Sequence, residues 1–210
     1  MNLPVPNLPA PSLCTTAGNP AMTARPLRTA GRLPRLMRGM SLVVFLGLLG
    51  ACAGPSVSQY AAERPTLELE RFFTGRTQAW GMFQERSGEV SKRFHVQIDG
   101  RRVGEAFVLD EHFVYSDGTT QERVWTLRRS ADGLWHGTAP DVVGEALGSI
   151  AGNALNWRYT LRVPVKESTY DLQFDDWMFL MDEHTMVNRA SMSKFGIELG
   201  QVTLFFRHEE

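Results

Sequence analysis

The residues of this 210-residue sequence best suited to chemistry crowd into one stretch: Phe174-Asp175-Asp176-Trp177-Met178, then Asp182-Glu183-His184 and Asn188-Arg189. Adjacent carboxylates are candidates for acid/base work, but neighbours on a strand point to opposite faces, so at most one of Asp175 and Asp176 enters an interior. The inward one is expected opposite Arg158 or Arg189, as a head-group contact, a catalytic acid or a buried ion pair that fixes the sheet register. His184 is a further catalytic candidate, although Asp182-Glu183-His184 reads as a solvated turn. His95, His112, His136 and His208 stand one per strand, without H-x-H or H-E-x-x-H spacing, so no metal site and no cofactor is expected. Ser191-Met192-Ser193-Lys194 formally matches S-x-x-K, but that chemistry needs a serine at a helix start and companion S-D-N and K-T-G elements, so a polar turn is expected instead.

A second set of residues speaks of binding. Trp80, Asn156, Trp157, Arg158, Asp176, Trp177 and Arg189 are the expected ligand contacts. Phe83, Phe94, Trp125, Tyr159, Phe179 and Phe206 add aromatic surface, which either lines a pocket for an acyl chain or fills a core. Arg158, Arg162 or Asn156 would then stand near the mouth of the pocket.

The elements that must carry these residues read as strands. Phe94, Val96 and Ile98 alternate with His95, Gln97 and Asp99, and the same period of two recurs in Trp157/Tyr159/Leu161/Val163 and Val202/Leu204/Phe206. Turn signals separate the runs at Ser87-Gly88, Asp99-Gly100, Asp117-Gly118, Asp132-Gly133, Gly152-Asn153 and Glu198-Leu199-Gly200. Strands are accordingly expected near residues 78–85, 90–99, 102–109, 111–115, 120–129, 134–139, 144–151, 154–163, 169–181, 185–193 and 197–207. The runs lie too close together for crossover helices. An all-β antiparallel meander follows, closed into a lipocalin-like, calycin-type barrel of about 8–10 strands. A two-sheet β-sandwich is the alternative. Residues 66–73 are expected to form one helical turn or an irregular plug.

The N-terminal part has different physics. Residues 1–51 hold five arginines, no lysine and no acidic residue, leaving 17 basic against 23 acidic residues, a formal charge of about −6, in the remainder. That balance and an export signal argue against nucleic acid as a partner. Arg32, Arg35 and Arg38 precede the short apolar run 42–49, which is too brief to span a bilayer, where a helix needs about 20 residues. It ends in Leu49-Gly50-Ala51-Cys52, which resembles the lipobox of bacterial lipoproteins. That resemblance implies cleavage before Cys52, a diacylglyceryl group on its sulfur, and a membrane as partner through that lipid. Ala53 is not the aspartate that retains many such proteins in the inner membrane, so the periplasmic face of the outer membrane is the expected location. Residues 1–36 read as a mis-translated upstream extension, with Met37 or Met40 as the start; 37–51 as the signal peptide; 52–64 as lipidated cysteine and tether; and 65–210 as one barrel domain. Cys14 falls in the extension, so no disulfide is expected.

Ala79-Trp80-Gly81-Met82-Phe83-Gln84, Asp141-Val142-Val143-Gly144, Asn153-Ala154-Leu155-Asn156-Trp157-Arg158-Tyr159, the Asp175-Asp176 segment and Asn188-Arg189-Ala190-Ser191-Met192-Ser193-Lys194-Phe195-Gly196 occur together and in this order. Over about residues 60–207 they resemble a family of small proteobacterial lipoproteins known only as a domain of unknown function. The resemblance implies a shared fold and an envelope location, with no activity to carry over. The expected function is therefore an envelope lipoprotein that binds a lipid or other small apolar ligand in its barrel, rather than an enzyme. The alternatives are a structural or assembly lipoprotein with a filled barrel, and an enzyme acting on a membrane lipid through an inward Asp and a nearby Arg or His.

Overall fold

The computed structural model describes residues 54–165 and 167–209. The extension 1–36, the signal segment 37–51 and Cys52 lie outside the described residues. Ten strands follow in order: β1 Gly75–Glu85, β2 Val90–Val103, β3 Ala106–Tyr115, β4 Thr120–Arg129, β5 Trp135–Thr138, β6 Ala146–Ala151, β7 Ala154–Val165, β8 Ser168–Leu180, β9 Thr185–Lys194 and β10 Ile197–His208. Each pairs antiparallel with the next, and β10 returns to β1 in a register running from Thr77 opposite His208 to Glu85 opposite Gly200. The sheet is a closed barrel, which removes both edges and excludes the sandwich.

Alternation decides what fills it. Phe94, Val96 and Ile98 of β2, Phe107, Leu109, Phe113 and Tyr115 of β3, and Leu155, Trp157 and Leu161 of β7 all point inward and are buried. One end of the barrel is closed by helix α1, Leu69–Phe73, whose Leu69, Phe72 and Phe73 are buried together with Leu67 just before it. Phe73 meets Phe206 of β10 edge-to-face at 5.9 Å, and the Leu67 amide donates to the Gly152 carbonyl at 2.8 Å. At the other end lie the β1–β2, β3–β4, β5–β6, β7–β8 and β9–β10 connections, with no helix among their described residues.

Four local expectations change. Asp99-Gly100 is not a turn: β2 runs on through Arg102, the chain reverses at Gly104, and residues 106–115 form a single strand rather than two. Gly100 is required for a different reason, because a Cβ there would collide with the carbonyl oxygen of Phe73, so the glycine is the seat of the α1 plug. Glu198-Leu199-Gly200 is likewise a bulge within β10, and the β9–β10 reversal sits at Phe195-Gly196, both with positive φ. Ser191-Met192-Ser193-Lys194 is the end of β9, not a turn, and Met192 continues the inward phase of Met186, Asn188 and Ala190. Finally, residues 57–60, expected within a free tether, form a 3-10 turn, and Tyr60 packs edge-to-face on Phe179 at 5.0 Å and Trp177 at 6.0 Å.

Candidate functional site inside the barrel

Inside the barrel the apolar phase of several strands is interrupted by groups that carry charge or donate protons. On β3 the inward series passes from Leu109 to Glu111 to Phe113, and on β4 it passes through Arg123 before Trp125 and Leu127. Arg123 grips Asp141, in the loop after β5, through Nε at 3.1 Å to both carboxylate oxygens and Nη2 at 2.7 Å to Oδ2. Its Nη1 lies 3.6 Å from Glu111. The side chains of Arg123 and Glu111 are each 14% exposed. Burial pushes the Glu111 carboxyl up to about 7, against the downward pull of Arg123 and with a further push from Asp141. For Arg123, burial works against the charge, yet Glu111 and Asp141 outweigh it and hold the guanidinium above its ordinary value.

Five strands away around the ring, on the opposite wall, Asp176 of β8 is 5% exposed. Its Oδ2 accepts from the Tyr159 hydroxyl of β7 at 3.2 Å and, at a long 3.4 Å, from the Asn188 amide of β9. Its other oxygen, Oδ1, has no hydrogen-bond partner, and neither does the Asn188 side-chain carbonyl. Burial drives the Asp176 carboxyl up to about 7; the Tyr159 and Asn188 hydrogen bonds and Arg123 hold it down, and Asp175 pushes it further up. Burial and then the nearby Asp176 also hold the Tyr159 hydroxyl well above its ordinary value. Two carboxyls raised by burial to about 7 thus sit inside a barrel whose inward positions are mostly apolar. The cluster can accept hydrogen bonds, donate protons or receive a cation.

Aromatic rings shape the space around it. Trp157 lies along the wall rather than across it, because its indole covers Gly148 of β6 and Gly137 of β5, where any Cβ would overlap the ring. Trp125 meets Trp157 and Tyr159 edge-to-face at 5.8 and 5.5 Å, which continues the aromatic surface from β7 to β4. Facing it, the inward side chains Met178, Met192, Leu204 and Phe83, from the neighbouring strands β8, β9, β10 and β1, are only partly buried. Near the open end Lys92 is held by Asp117 at 2.9 Å and lies 4.0 Å from the centre of the Tyr115 ring, whose hydroxyl donates to Gln121 at 2.7 Å.

The residues expected from sequence divide between two faces. Asp176 and Trp157 point inward. Asp175 points outward, where its Oδ1 receives the Asn156 amide at 2.6 Å and pairs with Arg158 at 3.3 Å. The expected pairing of an inward aspartate with Arg158 or Arg189 is therefore corrected: both arginines stand on the outer wall, Arg189 donating to Gln201 at 3.0 Å. Asn156, Arg158 and Asp175 line a pocket of ≈ 490 Å³ together with Gln173 and the inward-phase Tyr159 and Phe174. Trp80 is 49% exposed on the outside beside His95 and Phe205, and Trp177 is covered from outside by Tyr60. Arg162 pairs outside with Asp171 at 3.4 Å. His184 lies between β8 and β9 at the plugged end, its ring stacked on His208 at 6.2 Å, away from Asp176. Among the described residues no group of three or more His, Cys, Asp and Glu is arranged to hold a metal, and no helix is long and apolar enough to cross a membrane.

Comparison with known proteins bears on the family. The family described as "Protein of unknown function (DUF3833)" matches residues 46–208. The chain belongs to that family. No curated protein matches it. Among solved structures it is similar to the S-type phycobiliprotein lyase CPES from Guillardia theta, at 11% identity, with 74% of this chain and 99% of that chain covered and a TM-score of 0.48. It is also similar to EF1p2_mFAP2b bound to DFHBI, again at 11% identity, with 73% and 100% covered and a TM-score of 0.38. For this family member the site has to be read from its own residues.

Sequence reasoning missed Glu111, Arg123, Asp141 and the hydroxyl of Tyr159. A signal was present: Glu111 and Arg123 occupy apolar phases of their strands, where an ionisable residue must find a partner inside. Dividing residues 102–115 into two strands hid the phase of Glu111.

Proposed function

We propose that the protein is a lipid-anchored binding module of the cell envelope, whose barrel takes up a small, largely apolar molecule through the end opposite α1. The observation that carries this reading is the contrast inside the barrel. Ile98, Phe107, Leu155 and Met186 are at most 2% exposed, whereas Met178, Met192, Leu204 and Phe83, which also point inward, are only partly buried. A barrel packed solid for a structural role would bury both sets alike. Ten strands also enclose more room than the eight whose interior side chains just fill. The anchor rests on the Leu49-Gly50-Ala51-Cys52 box, and its periplasmic, outer-membrane location on the residue that follows.

Mass spectrometry of solvent extracts from protein purified out of its native membranes tests the binding. A recurring small apolar species at one per chain is expected, and chains that come out empty after mild extraction would sink the reading. For the anchor, Cys52→Ser is expected to move the protein from the membrane pellet to the soluble fraction; a variant that stays in the pellet would contradict lipidation. A second reading draws on Asp176 alone: a carboxyl that exchanges protons near neutrality beside a phenol is suited to acid/base catalysis on a membrane lipid. Turnover of bound lipid that Asp176→Asn abolishes in a folded protein would favour it.

A further inference from the structure

The polar cluster sets what kind of head group the barrel accepts, and its chemistry is one-sided. Asp176 Oδ1 and the Asn188 side-chain carbonyl, on the neighbouring strands β8 and β9, are buried acceptors without a donor; the residues are 5% and 0% exposed. On the opposite wall Glu111 is better served: its carboxyl takes a hydrogen bond from the Trp125 side chain, and its Oε2 lies 3.6 Å from Arg123 Nη1. The donors that could serve these oxygens are already engaged. Tyr159 and the Asn188 amide are used by Asp176 Oδ2, and Arg123 commits Nε and Nη2 to Asp141, leaving Nη1 at 3.6 Å from Glu111. Lys92 is held at the open end by Asp117. One guanidinium therefore faces three carboxyls, Glu111, Asp141 and Asp176. A buried acceptor without a donor costs about 1–3 kcal/mol, so a protein that keeps such acceptors inside a barrel gains from an occupant that brings donors.

Resting on the reading that the barrel binds an apolar molecule, we infer that its preferred ligand is a cationic amphiphile, with a protonated amine seated at Asp176 and Asn188 and a hydrocarbon part against Trp157, Met192 and Leu204. An alkyl carboxylate would place a negative charge among these acceptors. An alcohol would supply one donor without the charge. The groups facing Asp176 are Tyr159 from β7, Asn188 from β9, Asp175 beside it on β8, and Arg123 with Glu111 and Asp141 from the far wall. None of these is a free cation.

The test is displacement of a fluorescent apolar probe, N-phenyl-1-naphthylamine, from the full mature chain by decylamine, decanol and decanoate. The amine is expected to displace at a concentration at least tenfold below decanoate, with decanol between. Asp176→Asn is expected to erase most of that gap, and Asp171→Asn, paired with Arg162 on the outer wall, to leave it unchanged. Should Asp176→Asn fail to fold, the wild-type protein still decides. Decylamine stays protonated from pH 6 to 8, so its affinity is expected to rise over that range as the carboxyls ionise, with protons released on binding, while decanol shows no such slope. Decanoate binding as well as the amine would overturn the head-group preference and leave the apolar-ligand reading standing. Failure of the probe and of all three chains to bind would overturn that reading itself, and the preference with it.

Discussion

The two ends of this barrel are made from the same ten strands and differ in what the inward positions are asked to do. At the α1 end a carbonyl of Phe73 sits on Gly100, Phe73 packs on Phe206, and Ile98, Phe107, Leu155 and Met186 are sealed from solvent. Beyond that plug, beginning with Glu111 directly across from Ile98, the same inward phase carries Arg123, Tyr159, Asp176 and Asn188, with Met192, Leu204 and Phe83 partly accessible. The lesson is a division of labour. Dense apolar packing at one end stabilises the fold, and that stability allows several poorly satisfied polar groups to be kept at the other.

Substitutions at the plugged end are expected to do the most damage. Phe73→Ala should cost about 3–5 kcal/mol, the range for truncating a buried aromatic, and lower the thermal midpoint by about 10 °C. Gly100→Ala should act on the same seat by displacing α1. Met192→Ala in the open half should cost well under half as much; calorimetry on both variants compares the halves directly, and equal losses would break the distinction.

The next effect is a pH dependence. Asp176 and Glu111 rise from ordinary values of 3.8 and 4.5 to about 7 in the folded protein, so folding favours their protonated forms. Their contribution is complete below about pH 4 and is lost as pH rises to about 7, because the unfolded chain sheds its protons first. The wild-type midpoint should therefore fall between about pH 4 and 7, and Asp176→Asn, neutral throughout, should remove a large part of that slope. An unchanged slope would take Asp176 out of the buried cluster. The smallest effect is expected outside: Arg158→Ala breaks an exposed pair with Asp175 and should change stability by no more than about 0.5 kcal/mol and leave probe binding as it was.

Much of the barrel was legible because closure into a meander follows from local signals. Period-two runs such as Phe94/Val96/Ile98, separated by turn residues, give the strands, and short connections give antiparallel neighbours. Glycines misled where their role is tertiary. Gly100 and Gly200 read as turns, yet each makes room for backbone of another segment, Phe73 and Gln84 respectively, and no local pattern carries that information. The site was half legible for the same reason. Alternation implied that only one of Asp175 and Asp176 could point in, but its partners come from β3, β4, β7 and β9, and which strands face one another is a property of the closed ring. Arg158 and Arg189, near in sequence, were the expected partners; the ring supplies Tyr159, Asn188 and, across the lumen, Arg123 instead.

The account rests on an interior that is accessible in one half, and Leu204→Trp measures this most directly. Leu204 faces inward beside Asn188, only partly buried. With N-phenyl-1-naphthylamine as probe, the wild-type protein should show saturable binding near one per chain. The Trp variant should lose at least tenfold in affinity while its thermal midpoint stays within a few degrees, because the added ring takes the ligand's place. A midpoint lowered by ten degrees or more, with no probe binding to the wild type, would mean that the barrel is filled and would contradict the account.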